Sequence, residues 1–328
     1  MNSRIVAIIL SLLLFFSSLY FIGFPEIGDM ANATTEPSSD SDPQTTVTTS
    51  KRPVETVLCS FRDISYGTDE KQTLDLILPV DDREETGLLL YIHGGGWTGG
   101  DKATSPDKFK ILSANKKYAV ASINYRYAEL GKTDIYDIVN DITSALSHIK
   151  NLAAGYSVNI NEVVLCGHSA GGHLSLFYAY RYKDISPIKP VGVIVTAPAV
   201  DLSLDEFYKS NDLGDEKFMC ELMSKACGKE FTPETRAEHI NLLKELSPTE
   251  YVTTDCVPTL IVHGKKDTVA PFKGSESLCE QLSSASVPVE LIAMENSGHR
   301  LDNDKETKEY ASTVMYERII TWLGITSE

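Results

Sequence analysis

The chain has 328 residues, 42% of them hydrophobic and 23% charged, the balance of a sequence that buries a core and not of a disordered or fibrous one. Its formal net charge is −16, and residues 1–50 hold one base (Arg4) against five acids, so the remainder is acidic as well. An acidic surface repels phosphate backbones and anionic lipid, which excludes nucleic acid as an expected partner.

Arg4 is the only charge ahead of an apolar stretch at 5–24. Twenty such residues are long for the core of an export signal and just long enough to span a bilayer. Residues 1–28 are therefore expected to be either a cleaved signal peptide, with Ala31-Asn32-Ala33 as a cleavage-like site, or an uncleaved membrane anchor. Both make the protein secreted or extracytoplasmic, the second tethered through 5–24. Residues 29–53 are rich in Ser, Thr, Asp and Pro and cannot bury enough surface to offset ordering entropy, so they are expected to be a disordered linker. Asn32-Ala33-Thr34 in that stretch is the only glycosylation sequon.

From residue 54 strands and helices alternate. Segments 54–64 and 73–78, split by Gly67, predict an opening hairpin, and apolar runs predict strands at 88–92, 118–123, 163–166, 191–196, 259–262 and 289–293. Ile135, Ile138, Ile142, Ala145, Leu146 and Ile149 recur at helical spacing, with Thr133 or Asp134 available as N-cap. Helices are also predicted over 171–182 and 305–323. This alternation predicts an α/β domain over 54–328, with a mostly parallel eight-stranded sheet covered by helices on both faces. The polar, helix-prone stretch 201–250 breaks the rhythm and is expected to be a small cap insertion.

None of the six cysteines forms a C-x-x-C pair, which argues against a zinc ribbon or dithiol site. Cys166 lies in an apolar strand and is expected to be buried. Cys220 and Cys227 would lie ~10 Å apart along one continuous helix, so bridging them would require a break. The histidine spacing offers no metal site, and no cofactor is expected.

Gly167-His168-Ser169-Ala170-Gly171 matches G-x-S-x-G with a strand before it and a helix after it. So sharp a turn tolerates no bulk two residues either side and lifts the Ser169 hydroxyl above the sheet edge, which suits a nucleophile. His93-Gly94-Gly95-Gly96-Trp97 follows a strand. Backbone N–H groups of Gly95 and Gly96, with Ala170 behind the serine, are the expected oxyanion donors. A phosphate-binding loop would need Lys and Ser/Thr next, where Trp97-Thr98 stands. Asp267 and His299 each follow a predicted strand, and the order Ser169, Asp267, His299 gives nucleophile, orienting acid and general base. Asp201, also just past a strand, is the rival acid. His93 is expected to brace its loop, His168 and His173 to be turned away from the serine hydroxyl and structural, and Asp302 and Asp304 to be surface charges.

Together with Asn124-Tyr125-Arg126 and Asp141, these motifs resemble the α/β-hydrolase esterases over roughly 73–322. The nearest groups are the carboxylesterases related to hormone-sensitive lipase and the bifunctional acetyl-xylan and feruloyl esterases. The H-G-G-x-W pattern is shared with kynurenine formamidases and isoprenylcysteine methylesterases. Tyr127-Ala128-Glu129-Leu130 departs from the Leu-Ala-Pro-Glu that usually follows Tyr-Arg in the lipase-related group. The resemblance implies an α/β-hydrolase fold and serine-dependent hydrolysis of short-chain acyl esters, acetyl or feruloyl, on a small molecule or a polysaccharide. An arylformamidase or exopeptidase of the same fold is the rival activity, and a non-catalytic binding protein the rival class.

Overall fold

The computed structural model describes residues 56–81, 85–105, 118–209 and 212–323. The expected leader, linker and sequon lie outside the described residues. Eight strands, β1 (Val57–Ser65), β2 (Thr73–Val80), β3 (Glu85–Ile92), β4 (Ala119–Ile123), β5 (Asn159–His168), β6 (Lys189–Thr196), β7 (Thr259–Gly264) and β8 (Val289–Met294), form one sheet in the order β1-β2-β4-β3-β5-β6-β7-β8. The hairpin β1–β2 is antiparallel, β2 meets β4 antiparallel, and every later pairing is parallel. A parallel sheet needs both faces covered. Among the described residues the helices that do so include α1 (Ile135–Gly155), α2 (Ala170–Arg181), α6 (Phe272–Ser284) and α7 (Lys305–Trp322), and between β6 and β7 the chain runs through α3 (Asp205–Tyr208), α4 (Glu216–Cys227) and α5 (Ile240–Glu245).

Alternation along each strand divides the core. Leu88, Leu90, Ile92, Val163 and Leu165 face a cluster with Ile138 and Ile142 of α1, Leu174 and Phe177 of α2 and Leu278 of α6. Leu89, Tyr91, Val164 and Cys166 face the opposite cluster, with Val314 and Ile319 of α7. The buried, near-continuous apolar strands follow from that two-sided burial. Helix α1 starts at Asp134, whose side chain accepts the N–H of Tyr136 and Asp137 while the Asp137 carboxylate accepts the Asp134 N–H. Helix α4 is continuous from Cys220 to Cys227, and all six cysteines are free thiols. No helix among the described residues is long and apolar enough to cross a membrane.

Register decides what meets at the sheet edge. Ile92 pairs with Gly167, His168 with Thr196, Thr196 with Val262, and Gly264 with Met294. The loops that leave β3, β5, β7 and β8 therefore emerge side by side at the C-terminal ends of parallel strands, where ligands bind in open α/β sheets.

Candidate functional site

Ser169 occupies the one-residue corner between β5 and α2, with φ 56 and ψ −121. That left-handed corner is costly for a residue with a Cβ, by about 1–3 kcal/mol. Surrounding contacts hold it there: the Ser169 N–H donates to Thr196 O at 3.0 Å, and Ser169 O accepts the His173 N–H at 3.0 Å. The corner closes only because Gly171 has no side chain, since a Cβ there would lie 2.1 Å from the Ile92 carbonyl oxygen.

The corner brings Ser169 against His299, which the loop after β8 carries. The Ser169 hydroxyl lies 2.9 Å from His299 Nε2 and donates to it, while His299 Nδ1–H donates to Asp267 Oδ2 at 2.7 Å. Asp267 is fully buried at its side chain and His299 only 10% exposed, so little water competes for either contact. The other Asp267 oxygen accepts the N–H groups of Val269 and Ala270 at 2.8 and 2.9 Å. Burial alone would raise the Asp267 carboxyl, but His299 beside it and hydrogen bonds from His263 and His299 outweigh that and hold it far below the usual carboxylate range.

Asp201 does not take part. Its carboxylate turns back on its own loop and accepts the backbone N–H and hydroxyl of Ser203 at 2.9 and 2.6 Å.

The loop after β3 turns with Gly95 at φ 121 and Gly96 at φ 60. It is pinned from beneath: the Tyr125 hydroxyl donates to His93 O at 2.9 Å, His93 stacks on Tyr125, and the Trp97 indole N–H donates to His173 Nδ1 at 3.2 Å. Among the described residues nothing accepts a hydrogen bond from the Gly95, Gly96 or Ala170 N–H. Leu222 of α4 covers this loop, its Cδ1 lying 3.3 Å from where a Gly96 Cβ would stand.

His93 braces the loop and His173 anchors Trp97, and burial pushes both rings down to about 4, so they are neutral. His168 has a contact that the sequence does not show. Its ring leaves the serine but lies 5.0 Å from the His299 ring, held by Thr196 Oγ1 at 3.0 Å, so it walls the base. Burial, and then His299, push it down to about 3. Asp302 is exposed, as expected of a surface charge. Asp304 is not a mere surface charge: it accepts the Asn296 N–H and the Ser297 hydroxyl at 2.8 and 2.7 Å and so closes the loop that carries His299. Sequence reading also missed His263, whose Nε2–H reaches Asp267 Oδ2 at 3.0 Å. Histidine and acid stand four apart in a turn after a buried strand, a spacing that permits the contact without specifying it.

The fold is that of the α/β hydrolases. A truncated carbohydrate esterase from gut microbiota superposes with a TM-score of 0.61 at 21% identity, covering 78% of this chain and 95% of that one. The chain belongs to the BD-FAE family, which matches residues 74–282. Among sequence relatives, it is similar to a probable isoprenylcysteine alpha-carbonyl methylesterase of Oryza sativa subsp. japonica, 26% identical over 251 residues, 73% of this chain and 58% of that protein. It is similar as well to a probable carboxylic ester hydrolase, LipM, of Mycobacterium tuberculosis, 25% identical over 247 residues, 73% of this chain and 56% of that protein. The chain thus spans a little over half the length of these relatives.

Proposed function

We propose that the chain hydrolyses carboxylic esters through a covalent acyl-enzyme. The observation that carries this reading is the unbroken path from Ser169 through His299 to Asp267, at 2.9 and 2.7 Å. His299 Nε2 takes the Ser169 proton as Oγ attacks the ester carbonyl, and the former carbonyl oxygen becomes an oxyanion. The N–H groups of Gly95, Gly96 and Ala170 receive that charge, each such donor contributing about 3 kcal/mol to the transition state. The imidazolium then returns the proton to the leaving alkoxide. In the second step His299 deprotonates water, which attacks the acyl carbonyl; the bond from that carbon to Ser169 Oγ then breaks, and the imidazolium returns its proton to Oγ. Asp267 keeps the His299 proton on Nδ1, the tautomer that leaves Nε2 free to accept. The printed names of the rice and mycobacterial relatives support ester chemistry.

Leu222 against the Gly96 loop limits the space beside the oxyanion donors, which favours short acyl groups such as acetyl, or a flat feruloyl group. The apolar stretch 5–24 supports an extracytoplasmic setting, where a small-molecule or polysaccharide-linked ester is the natural substrate. A nitrophenyl ester series of increasing acyl length, run with the wild type and with Ser169→Ala, tests both parts. Hydrolysis is expected to be fastest with acetate and to fall by roughly 10⁴-fold or more in the variant. Undiminished turnover by Ser169→Ala removes the mechanism, and a preference for long acyl chains removes the substrate class.

A further inference from the structure

His263 sits at the end of β7, fully buried, with a hydrogen-bonding partner at each ring nitrogen. Its Nε2 lies 3.0 Å from Asp267 Oδ2 and 3.0 Å from the Ala270 carbonyl oxygen. Both are acceptors, so Nε2 carries a proton and donates to the pair. Its Nδ1 lies 2.7 Å from the Ser275 hydroxyl on α6, which donates to it and fixes that tautomer. The ring edge packs on Phe272 with centroids 5.5 Å apart. Asp267 Oδ2 therefore receives two imidazole donors, one from His263 and one from His299.

We infer that His263 is a positioning residue for His299: it locks the Asp267 carboxylate and, by donating to the oxygen that His299 uses, draws negative charge away from that contact. This deepens the ester-hydrolase reading and rests on it. A carboxylate with one donor on Oδ2 would stabilise imidazolium more strongly than one whose charge is shared between two. Losing the His263 donor thus moves the His299 titration to higher pH, the opposite of what simple loosening of the Asp267 contact would do. The titratable groups that face His299 are Asp267 beyond β7, His168 at the end of β5 and, through Asp267, His263 itself. Its own loop adds Arg300, Asp302 and Asp304.

The test is an NMR titration of the His299 ring in the full chain, assigned against His299→Gln, alongside the pH profile of nitrophenyl acetate hydrolysis. His263→Phe keeps the ring and its packing but removes the donor. It is expected to raise the His299 midpoint and the acid limb of kcat/KM by about half a unit or more. It should also lower kcat roughly tenfold, with KM changed little. His263→Gln, whose amide N–H can take the place of Nε2–H, should restore both. Ser275→Ala should shift the midpoint in the same direction by less. A wild-type midpoint in His263→Phe, or a Gln variant that behaves like Phe, overturns the inference. If His263→Phe fails to fold by circular dichroism, Ser275→Ala decides, and an unmoved midpoint there overturns it. A wild type that hydrolyses no ester defeats the ester reading, while the ring titration still decides the role of His263.

Discussion

Ser169 holds a backbone corner that only glycine adopts without cost, and the protein tolerates this because the corner aims the hydroxyl at His299. Ser169→Gly would relieve about 1–3 kcal/mol of local strain and give back about 0.4–1 kcal/mol in unfolded-state entropy. A net gain of about 1 kcal/mol in urea unfolding is expected, together with loss of activity; a destabilised variant would show that the corner is not strained. Ser169, Asp267 and His299 were legible in the sequence because each follows a strand whose apolar run is plain, and glycines mark the turns. The second donor to Asp267 and the His168 wall were not, because the first depends on side-chain direction in the turn after β7 and the second on how the end of β5 packs against the loop after β8. Nothing in one dimension tells whether a histidine beside a glycine faces solvent or a neighbouring carboxylate.

At the scale of elements, pairing register aligns the strand ends, but loops place the reacting groups. The loop after β8 is closed by Asp304, which bonds Asn296 and Ser297, while Ser297 Oγ accepts the Asn303 N–H at 3.0 Å. Asp304→Ala is therefore expected to change stability little, since the carboxylate is partly exposed. It should nonetheless lower kcat roughly tenfold by letting His299 drift. Steady-state kinetics beside a thermal melt separate the two, and an unchanged kcat would show that the loop holds its shape without this clamp. Six strands were readable from apolar runs, and the opening hairpin from β-rich segments split by Gly67. Their order in the sheet was not, because pairing joins segments as distant as β3 and β5. Alternation of the segments identified a parallel sheet, and handedness and burial of both faces leave few arrangements of it.

Across the whole molecule, acid sensitivity follows from neutral histidines in the core. An unfolded histidine binds its proton near pH 6.5, whereas burial delays this to about 4 for His93 and His173 in the fold. Between those values the unfolded state holds more protons, so stability rises with pH and is lost on acidification. Each ring contributes up to about 1.4 kcal/mol per pH unit in that window. Urea unfolding from pH 7 to 4.5 should show a shallower decline in His173→Gln than in the wild type; parallel declines would mean that the ring is protonated in the fold. The proposed ester hydrolysis rests on one reading, that Ser169 is a nucleophile activated in place by His299 and Asp267. A fluorophosphonate probe followed by mass spectrometry of the peptides tests it most directly. The account predicts one adduct, on Ser169, lost in His299→Gln; folded wild-type protein that stays unlabelled, or carries the adduct on another residue, would contradict it.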